Sequence, residues 1–310
     1  MPSEEIVVEV RDLSKKYKDV QAVDNLNMKV RKGEIFGFLG PNGAGKSTTI
    51  KMLMSLAHPS GGEAFINGKS VTNDSVEIRR EIGYLPERVA FYDNLTALQT
   101  LHFFCELKGA DKSVAEPLLT EVGLEDAKHR KVGTFSKGMT QLLGFAQAMI
   151  GEPSIYILDE PTAGLDARWL KVARDKIKTL NVKGATIIFS SHILTEVQAL
   201  CDRVAIIDKG KLVAEDSVPN LSKYLNIKPR LEIFIEGLNG KVPDSVLKID
   251  GVEDAEAKEN VLFVTCDAAS RIDVITTLKK KGLDIRDFRT IEPSLEEVFI
   301  RLTSGEKGDA

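Results

Sequence analysis

Apolar positions along this chain follow two rhythms. Glu34-Ile35-Phe36-Gly37-Phe38-Leu39 is a short, nearly unbroken apolar run, as expected of a strand covered on both faces. Behind it, Lys46 to Leu56 carries Ile50, Leu53 and Met54 at helical spacing. The alternation then repeats. Ile6 to Val10, Leu26 to Val30, Ile82 to Leu85, Ser154 to Leu158, Thr186 to Ser190, Val204 to Ile207 and Leu212 to Ala214 read as strands, and Gly61 to Gly68 reads as a hairpin. Tyr17 is expected in a Lys-rich turn. Ser75 to Glu81 and Arg168 to Leu180 read as helices, and Thr96 to Gly123 as a helical stretch of ordinary length. A further helix opens at Phe135-Ser136-Lys137-Gly138-Met139, with Leu142, Phe145, Ala146 and Met149 on one face, and Gly151 and Pro153 stop it.

Strands alternating with helices predict an α/β fold with a mostly parallel sheet, beside an antiparallel β element in the first 70 residues or so. Near Asn226 the character changes. Arg230 to Gly237 and Val261 to Val264 alternate, Ile272 to Lys281 is amphipathic, and Ile285 to Phe288 is a further strand. Ser294 with Glu297 three positions on has the form of a capping box. The expected organisation is residues 1–225 as one α/β domain with a helical insert at about 88–150. Residues 229–303 form a small α+β domain, and 304–310 a flexible tail.

Composition narrows the class. With 310 residues, 43% hydrophobic, two cores are expected. The net charge of -4 gives no reason to expect a nucleic-acid partner. Cys105, Cys201 and Cys266 are scattered and lack metal-ligand spacing, so reduced thiols are expected. The N-terminus shows no basic-then-apolar leader pattern. No apolar run approaches the roughly 18 residues that span a bilayer.

Chemistry concentrates at strand ends. Gly40-Pro41-Asn42-Gly43-Ala44-Gly45-Lys46-Ser47-Thr48 matches the phosphate-loop pattern, between a strand and a helix. Backbone N–H groups and a helix N-terminus there favour an anion. Lys46 suits β- and γ-phosphate and the Ser47 hydroxyl suits Mg²⁺. Asp159 and Glu160 end one strand and His192 follows another. Ligands in such sheets sit at the carboxyl ends of strands. Asp159 fits a hard-cation ligand, Glu160 a general base acting on water, and His192 a donor to the γ-phosphate. Ser136 and Gly138 begin a second helix N-terminus, one more anion device than a single triphosphate needs.

Residues 6 to about 220 resemble an ATP-binding-cassette (ABC) ATPase, the motor subunit of an ABC transporter. Ile155 to Glu160 resembles its Walker B strand and catalytic glutamate, and Phe135 to Met139 its signature motif. Ala163-Gly164-Leu165-Asp166 resembles the D-loop, and His192 the switch histidine. The resemblance implies ATP and Mg²⁺ as cofactors and ATP hydrolysis as the reaction. It implies a head-to-tail dimer, with each ATP between one chain's phosphate loop and the other's Ser136, Lys137 and Gly138. It also implies a separate permease partner that holds the cytoplasmic chain on the inner face of the membrane. Tyr17 stands where the family stacks an aromatic on adenine, although packing on its own sheet is the other reading.

Glu87, after Tyr84-Leu85-Pro86, replaces the usual Q-loop Gln, Met139 replaces the signature Gln and Lys137 a Gly. Lys137 either neutralises phosphate or is simply solvated. Ser-Lys-Gly-Met, Pro-Glu and the segment Glu292 to Phe299 are similar to cassettes serving ABC-2-type permeases, mostly exporters. The run Tyr84 to Tyr92 bears a weaker similarity to the copper-processing ATPases of nitrous-oxide reductase maturation. The C-terminal extension is expected to be non-catalytic, whether dimer contact, regulator or stabiliser. Phe91, Tyr92, Phe103 and Phe104 either line the groove for a permease helix or pack within the insert. The competing class is a non-transport cassette ATPase acting on ribosomes or DNA. The lack of a long coiled-coil insert and the presence of one cassette count against it.

Overall fold

The computed structural model describes residues 4–217, 219–221, 228–291 and 295–304. The chain divides into two compact units, one ending at Ser217 and the other beginning at Val218.

The first unit holds two sheets. Its centre is β3 (Ile35–Leu39), every residue of which is buried. Parallel partners flank it: β8 (Thr186–Ser191) on one side and β9 (Arg203–Asp208) on the other. Next to β8 come β7 (Ile155–Asp159) and then β6 (Ile82–Leu85), both parallel. β10 (Lys211–Asp216) closes the far edge as an antiparallel partner of β9. The six-stranded order is therefore β10-β9-β3-β8-β7-β6, mostly parallel as expected. Every residue of β3, β7 and β8 is buried, which is why these strands read as continuous apolar runs.

The second sheet is antiparallel, in the order β2-β1-β4-β5. β1 (Ile6–Tyr17) and β2 (Val20–Arg31) make a long hairpin, with β4 (Gly61–Ile66) on the other side of β1 and β5 (Lys69–Ser70) at the edge. Tyr17 is thus the last residue of a strand. The turn is Lys18-Asp19, with Lys18 at positive φ. One hydrophobic cluster joins this sheet to the parallel one through Leu13, Leu26, Phe36, Phe38, Ile50, Leu53 and Ile157.

α1 (Lys46–Leu53) follows β3 and ends earlier than the apolar spacing predicts, at Met54, because Ser55 turns to φ 55. α2 (Ser75–Glu81) precedes β6. The insert holds α3 (Ala97–Lys108), α4 (Ala115–Glu121) and α5 (Lys137–Met149). A complete capping box starts α3: Thr96 accepts from Gln99 N–H and Gln99 from Thr96 N–H. α6 (Ala167–Val182) follows β7, and α7 (Leu194–Leu200) follows β8.

The second unit is an antiparallel sheet, β12-β13-β11-β14, built from β11 (Arg230–Glu236), β12 (Val252–Lys258), β13 (Val261–Cys266) and β14 (Asp284–Ile291). α8 (Arg271–Lys280) supplies Val274 and Leu278 to a core with Leu231, Ile233, Ile235, Leu262 and Val264. α9 (Leu295–Ser304) ends the described chain. Ser304 belongs to this helix; Ser294, the expected cap, and residues 305–310 lie outside the described residues. No helix among the described residues is long and apolar enough to cross a membrane. The three cysteines are unpaired thiols, and burial pushes each of them above the ordinary thiol range.

Candidate functional site

The loop from Gly40 to Gly45 connects β3 to α1. It lies so close to β9 that a side chain at Gly40 would begin 2.4 Å from the Ile207 carbonyl oxygen. Gly45 takes φ 108, a left-handed turn that an L side chain rarely adopts, and α1 starts from it without a side-chain cap. The Ala44 amide is spent on Pro41 O at 3.1 Å, which folds the loop back on itself. Lys46 is 6% exposed. Its Nζ donates to Gly40 O at 2.7 Å and Pro41 O at 3.3 Å, drawing the ammonium across the loop.

Beside this loop the end of β7 delivers two acids in different ways. Asp159, still in the strand, accepts from the Ser190 hydroxyl at 2.6 Å and the Ser47 hydroxyl at 3.2 Å. Burial raises its carboxyl above the usual range, opposed by those two hydrogen bonds and reinforced by the charges of Glu87 and Glu160. Glu160 leaves the strand through the left-handed region at φ 48, a conformation that costs a non-glycine residue roughly 1–3 kcal/mol. Two bonds hold that turn: the Glu160 amide donates to Ser190 Oγ at 3.0 Å, and the Ala163 amide donates to Glu160 O at 3.1 Å. The turn leaves the Glu160 carboxylate between two cationic or donor groups. Lys46 Nζ is 3.4 Å from one oxygen and His192 Nδ1 is 2.8 Å from the other.

These groups border a cavity of about 370 Å³. Pro41, Asn42, Gly43, Gly45, Lys46, Ser47 and Thr48 line it from the loop, with Glu87 after β6 and Glu160 and His192 opposite. Ala22 of β2 and Ala163 complete the wall. Ser47, Asp159 and Glu87 offer hard oxygen donors of the kind magnesium takes. Among the described residues no three His, Cys, Asp or Glu side chains form a metal cluster. A cation here would complete its shell with phosphate and water oxygens.

Eight expected site residues do not line this cavity: Gly40, Ala44 and Asp159, described above, and Tyr17, Ser136, Lys137, Gly138 and Asp166. Tyr17 is 46% exposed at the end of β1, with Lys15 Nζ 4.8 Å from its ring centre. Ser136 is spent as the N-cap of α5, accepting from Met139 N–H at 3.3 Å. Gly138 lies against the Trp169 indole, where a Cβ would sit 2.5 Å from Cδ1. The Lys137 ammonium occupies the space in which a side chain at Gly164 would begin. Asp166 caps α6, accepting from Trp169 N–H at 3.0 Å. The signature segment thus packs on the D-loop, whose Ala163 reaches the cavity wall while Ser136, Lys137, Gly138 and Asp166 do not.

Sequence reasoning did not single out Ser190, which ties Asp159 to the Glu160 amide. The only signal was its place in Ser190-Ser191-His192 at a strand's carboxyl end. It also missed Gln141, whose side chain donates to Pro161 O at 3.0 Å, and the buried hydrogen bond from the Thr162 hydroxyl to Glu196.

Comparison with known proteins matches this geometry to a family. Residues 23–163 match the model described as "ABC transporter", and residues 228–303 the model "ATP-binding protein DrrA1-3-like, C-terminal domain". The bacitracin transport ATP-binding protein BcrA of Bacillus licheniformis is 37% identical over 302 residues, covering 96% of this chain and 98% of that one. A fluoroquinolones export ATP-binding protein of Mycobacterium tuberculosis is 34% identical over 299 residues, covering 96% of this chain and 93% of that one. A solved dimeric, post-hydrolysis ATP-binding cassette bound to ADP and Pi is 26% identical, with a TM-score of 0.64, over 68% of this chain and 98% of that one. Taken with the phosphate loop and its paired acids, these likenesses show that the chain belongs to the ABC transporter ATP-binding proteins and is an ATP-binding, ATP-hydrolysing subunit of that family.

Proposed function

We propose that this subunit drives a separate ABC-2-type permease, as an exporter, from the cytoplasmic face of the membrane. It does so as a homodimer that closes on ATP. The single observation that carries the reading is the Glu160 carboxylate. It is held 3.4 Å from Lys46 and 2.8 Å from His192 at the rim of the phosphate-loop cavity. ATP's phosphates lie along the loop amides and Lys46, an array of N–H donors and one cation. Mg²⁺, when bound, neutralises phosphate charge, and Ser47, Asp159 and Glu87 are the residues that would hold it. Glu160 accepts a proton from the attacking water, and His192 hydrogen-bonds the γ-phosphate. Tyr17 offers an exposed ring for the adenine.

The separation of Ser136 and Gly138 from the cavity supports a sandwich in which a second chain supplies them. Hydrolysis then removes the phosphate that both chains hold, so ATP favours the closed state and ADP the open one. The insert supports the permease contact. Phe91, Phe104, Phe103 and Tyr92 form a ladder of edge-to-face rings, with centroids 5.4–6.0 Å apart, and Tyr92 remains 63% exposed. Names of relatives concerned with export point the same way. The helices of the insert, α3, α4 and α5, have 12, 7 and 13 residues, which does not favour the DNA-acting alternative.

The test is to capture tagged Glu160→Gln protein, with ATP and Mg²⁺, from gently solubilised native membranes. A polytopic membrane protein in near-stoichiometric yield is the expected result. Ribosomes or nucleic acid with no membrane protein would overturn the transport reading and leave the ATPase chemistry standing.

A further inference from the structure

The two residues after Glu160 are gripped from two directions. Gln141 of α5 donates to the Pro161 carbonyl at 3.0 Å. The Thr162 hydroxyl donates to Glu196 Oε2, and Glu196 lies on α7, four residues beyond His192. The turn between these grips is tight. Ala163 N–H donates to Glu160 O at 3.1 Å, and Leu165 N–H to Thr162 O at 3.2 Å. Everything in the grip is buried: Gln141 is 7% exposed, Thr162 2% and Glu196 0%.

Glu196 is an expensive way to fill that space. Its Oε1 has no hydrogen-bond partner, and the nearest cation, Arg174 Nη2, stands 3.9 Å away, with its own Nε buried and unpartnered. Well-packed apolar side chains at such a place are often as stable as a buried ion pair or more so. Fold stability alone does not explain the carboxylate. Its geometry does, because it fastens the arm that carries His192 to the turn that carries Glu160.

We propose that Glu196, acting through the Thr162 hydroxyl, is a positioning residue for hydrolysis. It fixes Glu160 and His192 relative to each other, so that base and γ-phosphate donor meet one substrate geometry. The proposal rests on the reading that Glu160 and His192 are the working residues. Neither Thr162 nor Glu196 lines the nucleotide cavity. Their loss therefore acts on turnover and leaves nucleotide affinity in place. A misplacement of about 1 Å in a catalytic group can cost about 100-fold in rate.

The experiment uses the full chain with ATP and Mg²⁺. It measures kcat, KM, nucleotide affinity by equilibrium titration, and melting temperature for four variants. Thr162→Val keeps the shape and removes the donor. Thr162→Ser keeps the donor. Thr162→Val/Glu196→Leu removes both polar partners, which leaves no unpaired buried carboxylate and can be nearly neutral for stability. Glu160→Gln tests the underlying reading separately.

The expected result is kcat down about 10- to 100-fold for Thr162→Val, with nucleotide affinity within about twofold, and near-native kcat for Thr162→Ser. The double variant recovers the melting temperature and not kcat. If Thr162→Val does not fold, the double variant carries the test. Recovery of kcat together with melting temperature in the double variant, or equal kcat for Val and Ser at position 162, would overturn the proposal. If Glu160→Gln is inactive in that case, the base assignment still stands. Full turnover by Glu160→Gln would instead remove the reading beneath it.

Discussion

α1 and α5 both begin at points suited to an anion, yet the chain treats the two ends differently. α1 starts from a left-handed glycine, has no side-chain cap, and its first turn lines the cavity. α5 starts from an extended serine whose hydroxyl is already bonded to Met139 N–H, and its first residues lie against the D-loop and Trp169. Helix N-termini leave several amides to be satisfied by caps, water or ligands. The first end is left for a ligand by its own chain. The second is stabilised from within and keeps its exposed side for something else. That asymmetry is the physical content of the proposed sandwich: one complete phosphate cradle and one detached half-site per chain.

Substitutions at either helix end separate the two roles. The largest effect belongs to Glu160→Gln, which removes a proton acceptor while keeping shape. General-base loss of this kind costs about 10²- to 10⁴-fold, read in single-turnover hydrolysis, with ATP binding retained. Next is Lys46→Ala. Losing a charged donor is worth roughly 1.5–3 kcal/mol, so ATP affinity in titration falls by about 10- to 100-fold. Gly138→Val strikes the other helix. A side chain there meets the Trp169 ring, and overpacking of this sort costs about 1–3 kcal/mol. ATP binding to a single chain is expected to stay unchanged while ATP-driven dimerisation and turnover are lost. A parallel loss of binding would mean that the two ends are one site. Ser136→Ala is the mildest. It removes a cap worth about 1 kcal/mol, visible as a small drop in melting temperature, with turnover lowered and nucleotide affinity retained.

Sequence and structure agree best where chemistry is written locally. The phosphate loop declares itself because glycine spacing, a preceding apolar strand and a following helix are all short-range signals. Asp159-Glu160 and His192 declare themselves by strand-end position. Partner choice across the fold was not legible. Thr162 and Glu196 are 34 positions apart, and nothing in either local pattern reports that burial brings them together. Nor does spacing show that Ser136, Lys137 and Asp166 turn toward their own chain's helix ends and D-loop. β12 escaped for a different reason. Its inward positions include Ala255 and Ala257, small residues with weak strand preference, between acidic outward ones. The length of the β1–β2 hairpin was understated because register shifts interrupt the simple alternation between Val10 and Lys16.

In the proposed sandwich ATP is the glue between one chain's loop and another's signature helix. Light scattering on purified Glu160→Gln protein, with saturating ATP and Mg²⁺, tests it most directly. The expected result is twice the 34.1 kDa chain mass with ATP and a single chain mass with ADP. A single chain mass in both conditions, at concentrations where nucleotide binding is saturated, would contradict it.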